Sequence, residues 1–184
     1  MKLLWHYTVD RHLVDILQSG YVDIARLHLA PSEKPVAWFS ANQFWERTVR
    51  KSIVKFSGEP SPAWGLEEMF SHGIHGVRIG VLPDAAPLNW TALRIQANIP
   101  AKMARQLLQV AEKWGANPWD WHGSLAPVPR EQWQATEIWN GNEWTPFAYD
   151  NEREELYTKL RTDDPLAPIV ERVCAGNAQK RENQ

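Results

Sequence analysis

The sequence predicts a single α+β domain with a split, mixed or antiparallel sheet and flanking helices. Three observations carry this expectation. The runs LLWHYT (3–8), VAWFS (36–40) and VRIGVL (77–82) have strand length and are rich in aromatic or β-branched residues. Stretches with apolar residues at helical spacing follow the first of them and reappear after residue 98. Asn140-Gly141 interrupts two extended runs, QATEIW and EWTPF, in the manner of a hairpin turn.

The elements follow in order. After the first strand, Thr8 or Asp10 can cap a helix whose Val9, Leu13, Ile16 and Leu17 share one face, with Gly20 placed for a left-handed C-terminus. APSEKP (30–35) is a loop before the second strand. ANQFWERTVRKS (41–52) has helical spacing at Phe44 and Thr48 or Val49, so a short helix is expected there. From Phe56 to Gly76 the chain is rich in Gly, Pro and Ser and holds Trp64. It reads as a long, mobile, substrate-facing loop or lid with one helical turn at Leu66 to Phe70. Asn98 and Pro100 open a helix that keeps Met103, Leu107, Val110 or Ala111 and Trp114 on one side until Gly115. Residues 1–150 are expected to form the domain, and 151–184 a polar, partly disordered C-terminal extension.

Composition excludes some classes of function. The 184 residues, 43% hydrophobic, suffice for one ordinary core, and 20 Lys+Arg against 22 Asp+Glu leave no global field for nucleic acid or membrane. No apolar run approaches the length of a membrane span, and the short Leu3–Trp5 run does not resemble a signal peptide. The lone Cys174 suits a reducing cytoplasm. Eleven tryptophans are the odd statistic, because they can fill a core or line a cleft.

Strand period places candidate site residues. His6 and Thr8 share one face of the first strand, opposite Trp5 and Tyr7; Trp38 and Ser40 share a face of the second; Ala135, Glu137 and Trp139 lie together in the hairpin. If these strands are neighbours, His6, Thr8, Trp38, Ser40 and Glu137 are expected to converge on one cleft.

At these residues the chain resembles the ADP-ribosyltransferase superfamily, in particular its histidine–tyrosine–glutamate branch. HYT before an IL–SG helix, then VAWFSANQFW, then TEIW follow the order of that branch's three motifs. Its His-Gly-Thr/Ser motif matches His6 and Thr8, its aromatic second-strand position matches Trp38 within AWFS, and its glutamate matches Glu137. DNA-modifying toxin transferases and RNA 2′-phosphotransferases are relatives by fold. Tyr7 stands where the family has glycine, Trp38 where it has tyrosine, and Ala135 where arginine-modifying members often have a second carboxylate.

The resemblance implies NAD as substrate, with cleavage of the nicotinamide–ribose bond through an oxocarbenium-like state. Glu137 would stabilise the developing charge and His6 would hold the adenosine-side ribose. Thr8 or Ser40, with the backbone at Tyr7, would position the carboxamide or ribose. Trp38 and Trp45 would stack on nicotinamide. Arg47, Arg50 and Lys51 form a small basic cluster that would suit pyrophosphate or, equally, a solvated helix face. The acceptor stays open between protein, nucleic acid and small molecule. No metal is implied: His72 and His75 in HGIHG lack further ligands at useful spacing. Two rival readings stand beside this one. Trp64, Trp119 and Trp121 would suit a non-catalytic module for nucleotide, sugar or a protein partner. Phosphate chemistry on RNA ends would need cleft arginines, for which Arg47 and Arg78 are the candidates.

Overall fold

The computed structural model describes residues 2–27, 29–52 and 60–147; the expected C-terminal extension lies outside them. The strands are β1 (Leu4–Val9), β2 (Tyr21–Val22), β3 (Ala37–Ser40), β4 (Gly76–Val81), β5 (Leu88–Asn89), β6 (Trp121–Ser124), β7 (Val128–Pro129), β8 (Trp133–Trp139) and β9 (Trp144–Pro146). The helices are α1 (Asp10–Ser19), α2 (Leu66–Ser71), α3 (Trp90–Gln96) and α4 (Ala101–Trp114). The class is α+β, as expected. Seven strands pair antiparallel in the order β5-β6-β3-β1-β4-β8-β9, and β2 and β7 form a separate two-stranded ribbon.

The pairing around β1 is asymmetric. Along β4 it runs the full strand, from Leu4↔Val81 to Val9↔Gly76, whereas β3 meets β1 at Trp5↔Ser40 alone. β3 then follows β6 from Ser40↔Trp121 to Ala37↔Ser124. The sheet therefore opens between β1 and β3.

Residues opposite each other in antiparallel strands project to the same side. Trp5, Tyr7, Trp38, Ser40, Arg78, Trp121 and Glu137 thus share one face, and His6, Thr8, Phe39, Ile79 and Thr136 the other. Two apolar clusters cover the first face. Trp5, Tyr7, Trp45, Leu66, Met69 and Trp139 form one with α2; Trp90, Leu93, Ala104, Ala111 and Trp121 form the other with α3 and α4. On the second face Val77, Ile79 and Val81 are fully buried, and α1 with its buried Leu13 and Val14 packs against β1 and β4. Trp5 lies directly over Gly80, where a Cβ would come within 2.8 Å of the Trp5 ring, so glycine is required at that position.

Local signals held where they depended on neighbouring residues. Gly20 (φ 78) and Gly115 (φ 65) end α1 and α4 in the left-handed region. The hairpin closes at Trp139↔Trp144, so its loop is Asn140–Glu143, with Gly141 at φ 97 and the Asn140 side chain accepting from the N–H groups of Asn142 and Glu143. Helix α3 was not foreseen, although Asn89 caps it by accepting from the Ala92 N–H at 3.0 Å.

Two expectations are corrected. The helix at 41–52 does not form. Asn42 Oδ1 accepts from the N–H groups of Phe44 and Trp45 as at a helix start, but Glu46 Oε1 takes the N–H of Thr48, which a helix would direct to the Phe44 carbonyl, and the Val49 N–H turns to the Glu46 carbonyl. In the expected lid, residues 56–59 lie outside the described ones, but the rest contains packed structure. Leu66 and Met69 of α2 are buried, and Trp64 stacks on His72 at 3.9 Å. Its Gly, Pro and Ser content marks turns and caps around a short core helix: the Gly65 N–H donates to Glu68 Oε2 at 2.5 Å.

Candidate functional site

A cavity of about 300 Å³ lies where β1 and β3 part. Trp5, Tyr7, Trp38 and Trp121 give it aromatic walls, Ser40 and Glu46 give it polar atoms, and Leu107 and Val110 of α4 close one side. His6 and Phe39, whose side chains lie on the second face, are also among the residues that line it.

The carboxylate is held firmly. Glu46 is only 6% exposed; Ser40 Oγ donates to its Oε2 at 2.8 Å and Thr48 Oγ1 to its Oε1 at 2.9 Å. Ser40 Oγ in turn accepts from the Asn42 N–H at 3.1 Å. A carboxylate oxygen accepts up to two hydrogen bonds, so Oε2 keeps a lone pair for a ligand. The Tyr7 ring walls the cavity while its hydroxyl donates to the Asn42 carbonyl at 2.6 Å. Burial pushes the phenol's pKa well above its ordinary value, despite the opposing Arg78 charge, so the hydroxyl stays protonated.

His6 stands at the opening of the sheet. Its Nδ1 donates to the Trp38 carbonyl at 2.9 Å, and its ring meets Phe39 edge-on at 5.8 Å. That bond fixes the neutral tautomer and leaves Nε2 as an acceptor. Burial holds the His6 pKa below its usual value; the Trp38 carbonyl opposes this, and the Lys51 charge adds to it. Thr8, on the same side of β1, shares a hydrogen bond with His12 Nδ1 at 3.3 Å.

Glu137 is elsewhere. Arg78 Nε donates to its Oε2 at 2.5 Å, and the guanidinium lies between the rings of Trp5 (4.1 Å) and Trp144 (4.5 Å) while donating to the Gln43 carbonyl. The register aligns Tyr7 with Arg78 and Arg78 with Glu137, so Glu137 is on the face opposite His6 and outside the cavity lining. The expected convergence of His6, Thr8, Trp38, Ser40 and Glu137 is therefore corrected. Trp38 and Ser40 meet at the cavity and His6 borders it, but Thr8 is on the far face and Glu137 is bound to Arg78. Trp45 and Arg47 are also corrected. Trp45 is 5% exposed in the core, edge-on to Tyr7 at 5.1 Å and stacked with Trp144 at 6.2 Å, and it does not line the cavity. Arg47 is exposed and reaches the C-terminus of α4, where a Cβ on Gly115 would lie 3.1 Å from its Nη1.

Glu46 and Thr48 were missed; Trp121, expected on an exposed loop of a binding module, is instead buried in β6 and lines the cavity. The signal for the first two was present in SANQFWERT, a carboxylate spaced between hydroxyls, but the expected helix would have turned Glu46 to solvent. Among the described residues, no three or more His, Cys, Asp or Glu side chains are grouped to hold a metal ion, and no helix is long and apolar enough to cross a membrane. His72 Nδ1 donates to the Glu68 carbonyl at 2.7 Å, and His75 Nδ1 donates to that of Trp139 at 3.2 Å. Compared with family models, curated proteins and solved structures, the chain matches none of them.

Proposed function

We propose that the cavity between β1 and β3 binds the nicotinamide end of NAD, and that the protein is an NAD-cleaving ADP-ribosyltransferase or glycohydrolase in which Glu46, not Glu137, is the active carboxylate. One observation carries the reading: a single buried carboxylate, oriented by Ser40 and Thr48, faces an aromatic-walled cavity bordered by a histidine of fixed tautomer. A pyridinium ring is flat and cationic, and aromatic faces with one anion suit both properties. When the C1′–N bond breaks, its electron pair leaves with nicotinamide and positive charge develops on the ribose, which Glu46 stabilises. Water or an acceptor hydroxyl or amine then attacks C1′ and loses its proton to the carboxylate or to solvent. The acceptor is the open part of the proposal.

The test is nicotinamide release together with calorimetric NAD binding, in the parent protein and in Glu46→Gln. Turnover is expected to fall by on the order of 10² to 10³, the scale for losing one electrostatic stabiliser, with NAD affinity changed only a few-fold. Parent-like turnover in Glu46→Gln removes Glu46 from the mechanism. A second reading is favoured by the hydrogen bonds that both Glu46 oxygens already accept: a non-catalytic module for a planar ligand. Ligand binding without nicotinamide release supports that module.

A further inference from the structure

Where the ladder between β1 and β3 stops, a side chain of β1 takes over. The two strands pair at Trp5↔Ser40 alone, and just beyond that pair the Tyr7 hydroxyl donates to the Asn42 carbonyl at 2.6 Å. The core sets the position of this phenol. Tyr7 is 6% exposed, its ring meets Trp45 edge-on at 5.1 Å and Trp144 at 6.1 Å, and its strand is paired with β4 along its whole length. Burial keeps the hydroxyl protonated and therefore a donor.

Asn42 reaches Glu46 from two directions. Its N–H donates to Ser40 Oγ at 3.1 Å, and the proton of that hydroxyl goes to Glu46 Oε2 at 2.8 Å. Its Oδ1 accepts from the N–H groups of Phe44 and Trp45 at 2.9 and 3.2 Å, which fixes the backbone that leads into Glu46. Thr48 closes the far side, with Oγ1 at 2.9 Å and N–H at 3.3 Å from Glu46 Oε1. The other ties from β1 and β4 to this loop end on Gln43. Trp5 Nε1 donates to its Oε1 at 3.2 Å, its Nε2 donates to the Leu3 carbonyl at 2.9 Å, and Arg78 donates to its carbonyl. They hold the loop without joining the bonds that lead to Glu46.

We propose that Tyr7 is a positioning residue for the carboxylate of the cavity: its hydroxyl, acting through Asn42 and Ser40, aims the free lone pair of Glu46 Oε2 at the ligand. The role in turnover rests on the reading of Glu46 as the active carboxylate, whereas the chain of hydrogen bonds stands without any ligand. One tyrosine then has two separable parts, a ring that walls the cavity and an oxygen that orients an anion it does not touch. Without that oxygen the Asn42 carbonyl loses its partner, and the peptide that orders Ser40 is free to turn. A displacement of about 1 Å at a reacting group can cost on the order of 10² in rate.

The experiment compares the parent with Tyr7→Phe, which keeps the ring and removes the oxygen. Amide hydrogen exchange followed by NMR is combined with nicotinamide release and calorimetric NAD binding. The Asn42 and Thr48 amides are expected to exchange about tenfold faster in Tyr7→Phe, while those of the β1–β4 ladder keep their rates. The kcat should fall by roughly ten- to hundredfold, with NAD affinity within a few-fold of the parent's. The ties at Gln43 remain, so Tyr7→Phe should fold, and Ser40→Ala probes the same chain from its other end. Effects of the two substitutions on Thr48 exchange should combine to less than their product, because they share a route. Parent-like exchange at Thr48 in Tyr7→Phe overturns the proposal, as does a fall in kcat with both amides unmoved. Faster exchange throughout the β1–β4 ladder makes Tyr7 a structural residue only and also overturns it. Faster exchange at Asn42 and Thr48 with parent-like kcat removes the positioning role and leaves the NAD reading standing. The same local change in a protein whose parent form releases no nicotinamide keeps Tyr7 as the residue that orients Glu46 and removes the NAD reading.

Discussion

Arg78 and Glu137 face each other across β4 and β8, joined at 2.5 Å between Nε and Oε2, on the opposite side of the sheet from His6. Both side chains are largely enclosed, with 11% and 20% exposure, and Trp5 and Trp144 cover the guanidinium from two sides. The glutamate that most looked catalytic is thus the counter-ion of a core arginine.

Glu137→Gln is accordingly expected to act on stability. Removing one partner leaves a nearly buried guanidinium with no counter-charge, at a cost of about 3 kcal/mol. Urea unfolding measures it, and nicotinamide release by the folded fraction should match the parent. A stable variant with lost turnover would return Glu137 to the site.

Trp38→Ala should separate binding from rate in the opposite sense to Glu46→Gln. Loss of one stacking surface costs about 1–3 kcal/mol, or roughly ten- to hundred-fold in affinity, and acts on ground and transition states alike. Calorimetric NAD titration checks the affinity. Unchanged affinity would place the ring elsewhere.

Gly80→Ala would press a methyl group against Trp5 and Leu3, at 2.8 and 2.9 Å. Displacing the Trp5 ring should cost about 1–3 kcal/mol, as overpacking does. Because Trp5 also walls the cavity, ligand affinity should fall with stability, a coupling that paired denaturation and binding measurements would reveal.

Stability should decline as pH falls below the ordinary histidine value of 6.5. Burial lowers the folded-state pKa of His6, so the unfolded chain takes up protons first on acidification. The contribution is therefore complete above 6.5 and is lost as pH drops toward the lowered folded value. Urea midpoints measured at neutral and mildly acidic pH should show a smaller difference in His6→Gln than in the parent. An equal difference in both would assign the slope to other groups.

The sequence by itself determined what depends on residues a few positions apart. The α+β class, the extents of β1, β3 and β4, the glycine ends of α1 and α4 and the Asn140-Gly141 turn all follow from periodicity, capping and permitted φ, which are local properties. Which strands are neighbours, and in what phase, was decided by tertiary packing. Alternation along β1 correctly separates His6 from Tyr7, but it does not say which of them shares a face with Glu137, because one step of register exchanges the faces. Burial of Trp5, Tyr7 and Trp139 in one cluster aligned Tyr7 with Arg78 and Glu137, and so took Glu137 away from His6. The same packing made a carboxylate site of Glu46: once its side chain took the N–H and hydroxyl of Thr48, the helix was lost and Glu46 was held beneath Ser40 instead of lying on a solvated helix face.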